Sequence, residues 1–509
     1  MLRKLLAQVF SRPAGSWPGD AARLESLGKE LFRGRRFAEA ADAFGRAVSL
    51  DPRNAGLWNK LGFAQFECGQ AERAIGAYRK ALAIEPDNAL AIQNFLFATA
   101  FTRETQAHSL ALHREWAPRL STPAAAPVAP YANTREPGRR LRIGYLSADL
   151  RGHTVAYYLA PILAHHDRER HSIHCYSNSR AADGVTARLR GHVDGWRDVA
   201  GLTDGELAAA IRADGIDILI DLSGHTAGNR LGAVALRPAP LQATYLGYPS
   251  TLGLPAIGYR ITDRFADPPG ESASRYLEQL LYLPDCAWCF DPLRDAPDPV
   301  ADAQRGAQTL FGSLNSVTKL SPETLALWAE VLRAVPASRL HLSRVPDGRL
   351  RDDLRNAFLQ QGIDTERVEF SGIVAVEQFS ALTRRIDVAL DPVPCNGGAT
   401  TCETLWNGTP LVAMVGETFP SRASYSILAN CGLADFAAAS PGDYVRLAAR
   451  LAGDASLRSG VRARVAAGFR DSCIMRAPQF TRNYEAMLRQ AWQDWCARAA
   501  KRTSAFQAK

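Results

Sequence analysis

Between residues 27 and 86 a pattern returns at a fixed spacing of 34 residues. Leu27-Gly28, Ala40, Phe44, Ala47 and Pro52 recur as Leu61-Gly62, Ala74, Tyr78, Ala81 and Pro86. A unit of that length, with small residues at matched positions of its two halves, reads as a pair of short antiparallel helices. Gly28/Gly62 and Ala40/Ala74 let the paired helices approach, Phe44/Tyr78 fill the gap to the next unit, and each proline ends a pair. Such units bury their apolar faces only by stacking. A third unit opens near Ile92 and Phe95 and then loses the pattern, and Ala107 to Leu120 reads as a capping helix. Two and a half units make a short stack, which is expected to dock on whatever follows.

The spacing and residue types match the tetratricopeptide pattern, so residues 21–120 are expected to form an all-α solenoid. The 509 residues are too many for one core. Hydrophobic content of 47% and charged content of 22% fit a globular chain, and no apolar run approaches the ~20 residues of a membrane span. The N-terminus, MLRKLLAQVFSRPAGS, is basic and weakly amphipathic. Residues 1–20 read as a flexible or helical leader, with a presequence as the alternative. The net charge of +8 is spread along the chain without basic blocks. It favours anionic ligands in general and gives no reason to expect nucleic acid. The nine cysteines are scattered, and Cys286 and Cys289 form a lone CxxC with no second pair in zinc spacing. They read as core thiols of a reducing compartment, with a cytoplasmic location and no metal expected.

Ser121 to Arg139 is rich in proline and alanine and reads as a linker. Apolar strand runs then alternate with helical patterns: 141–150, 172–178, 216–224, 241–249 and 259–263 for strands, 155–165 and 207–213 for helices. A second series begins near Thr309, with strands at 309–316, 338–344, 367–372, 387–391 and 410–414 and a helix at 322–336. Such alternation implies parallel sheets with helices on both faces. The fold class is therefore α/β, two Rossmann-like domains facing a cleft, at 140–300 and 301–470. Residues 471–509 are expected to form a C-terminal helix packing back on the body and a tail.

The stretch DVALDPVPCNGGATTCETLWNGTP (387–410) carries the most chemistry. It reads as strand, glycine-rich loop and helix N-terminus. Glycines allow close approach to the backbone. The unpaired N–H groups of a first helical turn suit an anion. Thr400, Thr401 and Glu403 add polar groups for a ribose or sugar, so the loop suits a nucleotide diphosphate. An ordinary βα turn is the competing reading from the residues alone.

Several motifs together make the chain resemble the O-linked N-acetylglucosamine transferase and SPINDLY family, which has the GT-B fold. They are GYLSADLRGH (144–153), DGIDILIDLSGHTAGNR (214–230), LRPAPLQATYLGYPSTLGLPAIGYRITD (236–263), FGSLNSVTKLSPETLALWAEVL (311–332), DPVPCNGGATTCETLWNGTP (391–410) and GETFPSR (416–422). The resemblance covers about Leu141 to Leu433 and extends through the repeats. It implies an inverting, metal-independent glycosyltransferase moving a sugar from a nucleotide donor to Ser or Thr of a protein. No resident cofactor is implied. The expected partners are the nucleotide sugar and a protein or peptide acceptor met in part through the repeats; neither a membrane nor a particular oligomer is implied.

By that resemblance Lys319 contacts the donor diphosphate, joined by Asn396, Gly397, Gly398, Thr400 and Thr401, while Glu403 meets the ribose. His153 follows the first strand of the first half and is expected at the cleft edge, as base or as a positioning group. Asp221 and His225, in DLSGHT, form a second candidate pair for sugar or acceptor. Gln242, Leu246, Gly247 and Pro249 resemble the sugar-side wall, with plain core packing as the alternative. UDP-GlcNAc is the expected donor. GDP-fucose is the alternative, because Gly398 and Val376 stand where the animal transferases carry a histidine near the base and a lysine that reads uracil. The stretch GGATTCETLW instead resembles the SPINDLY branch, whose plant members are O-fucosyltransferases. A repeat scaffold with a weak catalytic site is the alternative from another class; its mark would be loss of Lys319, His153 or the glycine loop, all of which are present.

Overall fold

The computed structural model describes residues 17, 19–120, 130–293, 308–453 and 455–507. Nearly all of the leader expected at 1–20 lies outside them. The repeats form helices Ala21–Arg33, Phe37–Leu50, Ala55–Glu67, Ala71–Ile84 and Ala89–Ala98. Their first helices start on caps that recur at the repeat spacing: Asp20, Asn54 and Asn88 each accept a hydrogen bond from a first-turn N–H, the contact that starts a helix most cheaply. The glycines do what their spacing suggests. A Cβ on Gly28 would stand 2.5 Å from the Phe44 ring, and one on Gly62 2.6 Å from Tyr78. Each aromatic ring thus seats on the glycine of its own helix pair. The third unit keeps its cap, but the expected capping helix at 107–120 is broken into helices Arg103–Ala107 and Ser109–Trp116 and a turn of 3-10 helix at Ala117–Leu120.

The first sheet holds seven parallel strands: β1 (Leu141–Ser147), β2 (His171–Ser177), β3 (Gly195–Asp198), β4 (Ile218–Asp221), β5 (Leu241–Thr244), β6 (Tyr259–Thr262) and β7 (Gln279–Tyr282). Their order is β3-β2-β1-β4-β5-β6-β7. The second holds β8 (Thr309–Ser313), β9 (Ser338–Leu342), β10 (Val368–Phe370), β11 (Val388–Leu390), β12 (Leu411–Met414) and β13 (Ala437–Ala438), in the order β10-β9-β8-β11-β12-β13 and again all parallel. In both sheets the order reverses beside the first strand, which places a crevice at the carboxyl ends of the strands. The central strands are buried along their length apart from Arg142 near the start of β1, as sheets covered on both faces must be.

The two carboxyl ends meet. Asp263, just after β6, accepts hydrogen bonds from Ala287 N at 2.8 Å and from Ser426 Oγ at 2.6 Å, and Trp288 Nε1 donates to Ser426 Oγ at 3.0 Å. Arg422 Nε donates to the Phe265 carbonyl at 2.8 Å. The result is the GT-B arrangement, with an all-helical repeat region in front. The repeats dock on both halves. Phe95 and Ile92 share a core with Tyr248, Leu252 and Ile257 of the first half, while Arg103 grips Glu323 of the second with two nitrogens and Arg349 pairs with Asp42.

Of the stretch read as a linker, 121–129 lie outside the described residues. The remainder is tied down: Asn133 Nδ2 and both terminal nitrogens of Arg139 converge on the buried Asp217 carboxylate. Helix Ala477–Gln507 returns from the second half onto the first, where Trp492 Nε1 reaches the Glu136 carbonyl at 3.2 Å and Tyr484 lies 5.6 Å from the Tyr245 ring.

Candidate functional site

Strand β11 ends at Asp391, and the chain turns through Pro392 to Gly398 into helix Ala399–Trp406. The loop hangs from Asp391. Gly397 N donates to Asp391 Oδ1 at 2.9 Å, and Asn315 Nδ2 approaches the same oxygen at 3.5 Å. Burial, only partly offset by the Gly397 and Ser424 hydrogen bonds and the nearby Lys319 charge, raises the Asp391 pKa to about 6. Its Oδ2 has no hydrogen-bond partner. Ser321 and Thr324, in the cap and first turn of helix Pro322–Ala334, both donate to the Val393 carbonyl, at 2.7 and 2.6 Å. Gly397 is required sterically: a Cβ there would lie 2.4 Å from Thr401 Oγ1 and 2.9 Å from Asp391 Oδ1. Gly398 is not, since a Cβ would meet only the Trp288 ring at 4.0 Å.

The open rim is narrower than the motif suggests. Gly398, Ala399 and Thr400 are partly exposed, whereas Asn396, Gly397, Thr401 and Glu403 are buried. Thr401 Oγ1 is paired with Ser424 Oγ at 2.7 Å, and Thr400 Oγ1 donates to Asn315 Oδ1 at 2.8 Å. Thr401 and Glu403 therefore lie beneath the loop. Lys319, at the end of the 3-10 turn Val317–Lys319, donates its Nζ to the Asn396 carbonyl. An ammonium group, a half-exposed hydroxyl and the unpaired N–H groups of a first helical turn thus share one rim, an arrangement that attracts a phosphate.

His153 caps helix Thr154–His165, its Nδ1 accepting from Val155 N at 3.3 Å and lying 3.7 Å from Asp149 Oδ2. With Nδ1 accepting, the neutral ring carries its proton on Nε2, which is then a donor; Nε2 becomes the basic nitrogen only in the other tautomer, with Nδ1–H turned to Asp149 Oδ2. Partial burial lowers its pKa; Asp149 pulls it up and Arg151 down. Farther along this helix Tyr158 Oη donates to Cys402 Sγ at 3.6 Å. His153 is five residues before Tyr158, about 7.5 Å along the axis, so the two helix N-termini flank one contact between the halves. Tyr158 and Trp288, whose rings lie 5.6 Å apart, were not visible from sequence, because no local pattern marks a residue that meets a distant helix.

Asp221 and His225 are brought near the crevice but are each engaged elsewhere. Asp221 accepts from Gly224 N at 2.8 Å and Ser223 N at 3.3 Å, and its burial raises its pKa to about 6. His225 turns its Nε2 to the Leu252 carbonyl at 2.9 Å and meets the Tyr248 ring edge to face; burial lowers its pKa to about 4. Gln242 is a correction to the wall reading: its amide nitrogen is bound to the Val234 and Ala256 carbonyls, at 2.9 and 2.8 Å, so it braces the wall from inside. Leu246, Gly247 and Pro249 remain partly exposed. Leu246 has φ of 65°, and a Cβ on Gly247 would collide with the Leu222 carbonyl at 1.8 Å. The loops after β4 and β5 are interlocked backbone to backbone. Beside Pro249, a pocket of about 320 Å³ opens between the repeats and both halves.

Comparisons with known proteins agree with this geometry. The family described as glycosyl transferase family 41 matches residues 121–293 and 305–484, and a tetratricopeptide repeat matches 31–96. A protein of Petunia hybrida named probable UDP-N-acetylglucosamine–peptide N-acetylglucosaminyltransferase SPINDLY is 36% identical over 81% of this chain and 45% of its own length. A UDP-N-acetylglucosamine–peptide N-acetylglucosaminyltransferase of Caenorhabditis elegans is 27% identical over 70% of this chain and 41% of its own. The chain thus spans less than half the length of these curated relatives. A solved structure of an O-GlcNAc transferase mutant of Thermobaculum terrenum superposes with a TM-score of 0.87 at 35% identity, covering 94% of this chain and 92% of that one. Twin parallel sheets joined at their carboxyl ends, the Lys319 rim and a family match over most of the chain lead to one assignment: this protein belongs to glycosyl transferase family 41.

Proposed function

We propose that the chain transfers GlcNAc from UDP-GlcNAc to Ser or Thr hydroxyls of proteins, with inversion and without a metal ion. The observation that carries this reading is the Lys319 ammonium held by the Asn396 carbonyl beside the open N-terminus of helix Ala399–Trp406. In a single displacement the acceptor oxygen bonds to the anomeric carbon as the bond from that carbon to the diphosphate oxygen breaks. Negative charge grows on the departing diphosphate, where Lys319, the N–H groups of residues 398–400 and the Thr400 hydroxyl, turned away from Asn315, stabilise it. They supply the positive field that a divalent cation supplies in other transferases. Asp391, Thr401 and Ser424 keep the loop in shape. His153, at the facing helix N-terminus, orients the acceptor hydroxyl through Nε2–H or, once Nδ1 carries the proton toward Asp149 Oδ2 instead of accepting from Val155 N, takes the acceptor proton at Nε2. The names of the relatives support UDP-GlcNAc as donor and peptides as acceptor.

The test is incubation of the purified chain with labelled UDP-GlcNAc and, separately, GDP-fucose, using bacterial lysate as acceptor. Label from UDP-GlcNAc on protein, released by β-elimination, is expected. Label from GDP-fucose alone overturns the donor, and failure to bind or transfer either overturns the enzyme reading.

A further inference from the structure

At the end of helix Thr154–His165 remote from His153, two histidines and a glutamate converge. His166 Nδ1 lies 2.8 Å and His171 Nδ1 3.0 Å from Glu485 Oε1. One ligand atom from each of the three residues falls within 4.8 Å of the others, the one such trio of His, Cys, Asp and Glu among the described residues. All three side chains are buried. His171 is 2% exposed, and its Nδ1 is out of line for a hydrogen bond to Glu485 and has no other partner. Glu485 comes from helix Ala477–Gln507, 319 residues away from His166. A cavity of about 530 Å³ opens on the trio between His165, Asp167 and Arg482.

We infer that His166, His171 and Glu485 form a binding site for a divalent transition cation of the zinc class, outside the transfer cleft. Two imidazole nitrogens and one carboxylate, with a fourth position open to water from the cavity, are a donor set such ions take. Donor atoms around a tetrahedral zinc ion stand about 3.3 Å apart, so the two Glu485–histidine separations need to widen by only a few tenths of an ångström. The surroundings suit His166: its Nε2 lies 2.8 Å from Tyr145 Oη, so the ring can keep its proton on Nε2 and turn Nδ1 to the metal. Arg489 Nη2 lies 3.4 Å from His171 Nε2. Ligation through Nδ1 puts a proton on Nε2 and opens that long contact, while Arg489 keeps its 2.6 Å bond to the Arg139 carbonyl. The site is about 18 Å along the helix from His153. Its role is to clip the returning C-terminal helix to the base of the first sheet.

The experiment uses the full chain with any affinity tag removed and metal stripped by chelator. Cobalt(II), whose absorption reports its ligands, is titrated in and then displaced by zinc, and melting is followed with each metal. One tightly bound ion per chain, with nitrogen-ligated tetrahedral or five-coordinate absorption and a raised melting temperature, is expected. His171→Ala and the shape-preserving Glu485→Gln should lose the signal, and Tyr145→Phe should weaken binding about 10–100-fold. Absence of the cobalt spectrum in the wild-type chain overturns the site and leaves a hydrogen-bonded His–Glu–His cluster. So does binding that is unchanged in both ligand variants, which would mark an adventitious ion at surface groups.

Discussion

In the second α/β half, the loop after β11 is carried by its own domain: Asp391, Asn315, Ser321, Thr324 and Ser424 hold it from beneath. In the first half, the loops after β4 and β5 lean on the repeats. Tyr248 Oη reaches His113 Nε2 at 2.7 Å and the Leu96 carbonyl at 2.9 Å, and Ser250 Oγ pairs with Ser109 Oγ at 2.7 Å. A Cβ on Gly253 would strike the His113 carbonyl at 2.6 Å. The nucleotide side is thus held mostly by its own half, with one repeat-cap residue, Gln106, reaching the Pro394 carbonyl at 3.4 Å and accepting from Thr418 Oγ1 at 2.6 Å, whereas the opposite wall takes its shape from the segment that precedes it in the chain. The repeats touch the nucleotide side too, since Gly69 abuts the Val317 and Leu320 carbonyls around Lys319, but none of the side-chain bonds that hold the loop to Asp391 passes through them. Damage to the His113–Tyr248 contact of the repeat cap should therefore appear at the wall and spare nucleotide binding.

The largest effect is expected at the rim itself. Lys319→Ala should lower kcat by about 10²–10³-fold, the loss typical when a group stabilising transition-state charge is removed; steady-state transfer from the nucleotide sugar measures it, and full activity would remove Lys319 from the phosphate. Next comes the support beneath. Asp391 has a folded pKa of about 6 against an ordinary 3.8, so the folded state holds its proton more tightly. The associated stability is present below the ordinary value and lost as pH rises through about 6, a loss of at most about 3 kcal/mol. Asp391→Asn should remove that part of the slope between about pH 4 and pH 7. Parallel denaturant titrations of variant and wild type test this, and equal slopes would show that the carboxylate is not desolvated. Gly397→Ala, forced against Thr401 and Asp391, should cost about 1–3 kcal/mol and weaken UDP binding by calorimetry. Gly398→Ala, with room for its Cβ, should leave both nearly unchanged, and the difference between them measures how tightly the loop is seated.

On the other side of the comparison, Tyr248→Phe strands His113 Nε2 and should cost about 1–3 kcal/mol in denaturation while UDP affinity stays at the wild-type value. Equal loss of UDP binding would mean that the two walls are not independently supported. The smallest effect is expected for Arg103→Ala. Its bond to Glu323 spans repeats and second half, but both side chains are about half exposed, so under about 1 kcal/mol should be lost.

The central strands were legible because they are buried, apolar and bounded by turns. The strands missed by pattern are β3, β7 and β13, and all three lie at sheet edges. β3 (GWRD) and β7 (QLLY) have no fully buried residue and β13 has two residues in all, so each is too short or too exposed to stand out from the turns around it. In the candidate site, residue type and order singled out Lys319 and the glycine loop, which the structure places in contact. Ser424, Trp288 and Tyr158 were not, because each acts by meeting a residue more than twenty positions away. Gln242 was misplaced for a related reason: a polar residue on a wall strand looks the same in sequence whether it faces a ligand or two backbone carbonyls.

By itself, the sequence determined the helical repeat, the two series of parallel strands and the strand–glycine loop–helix turn at 387–406, since periodicity, caps and glycine positions act over a few residues. Only the tertiary structure decided which groups of that loop reach the rim, that Thr401 and Glu403 lie beneath it, and that His113, Tyr248 and Glu485 stitch distant segments together. Those outcomes depend on burial and on bonds between residues far apart in the chain, and no local pattern carries that information.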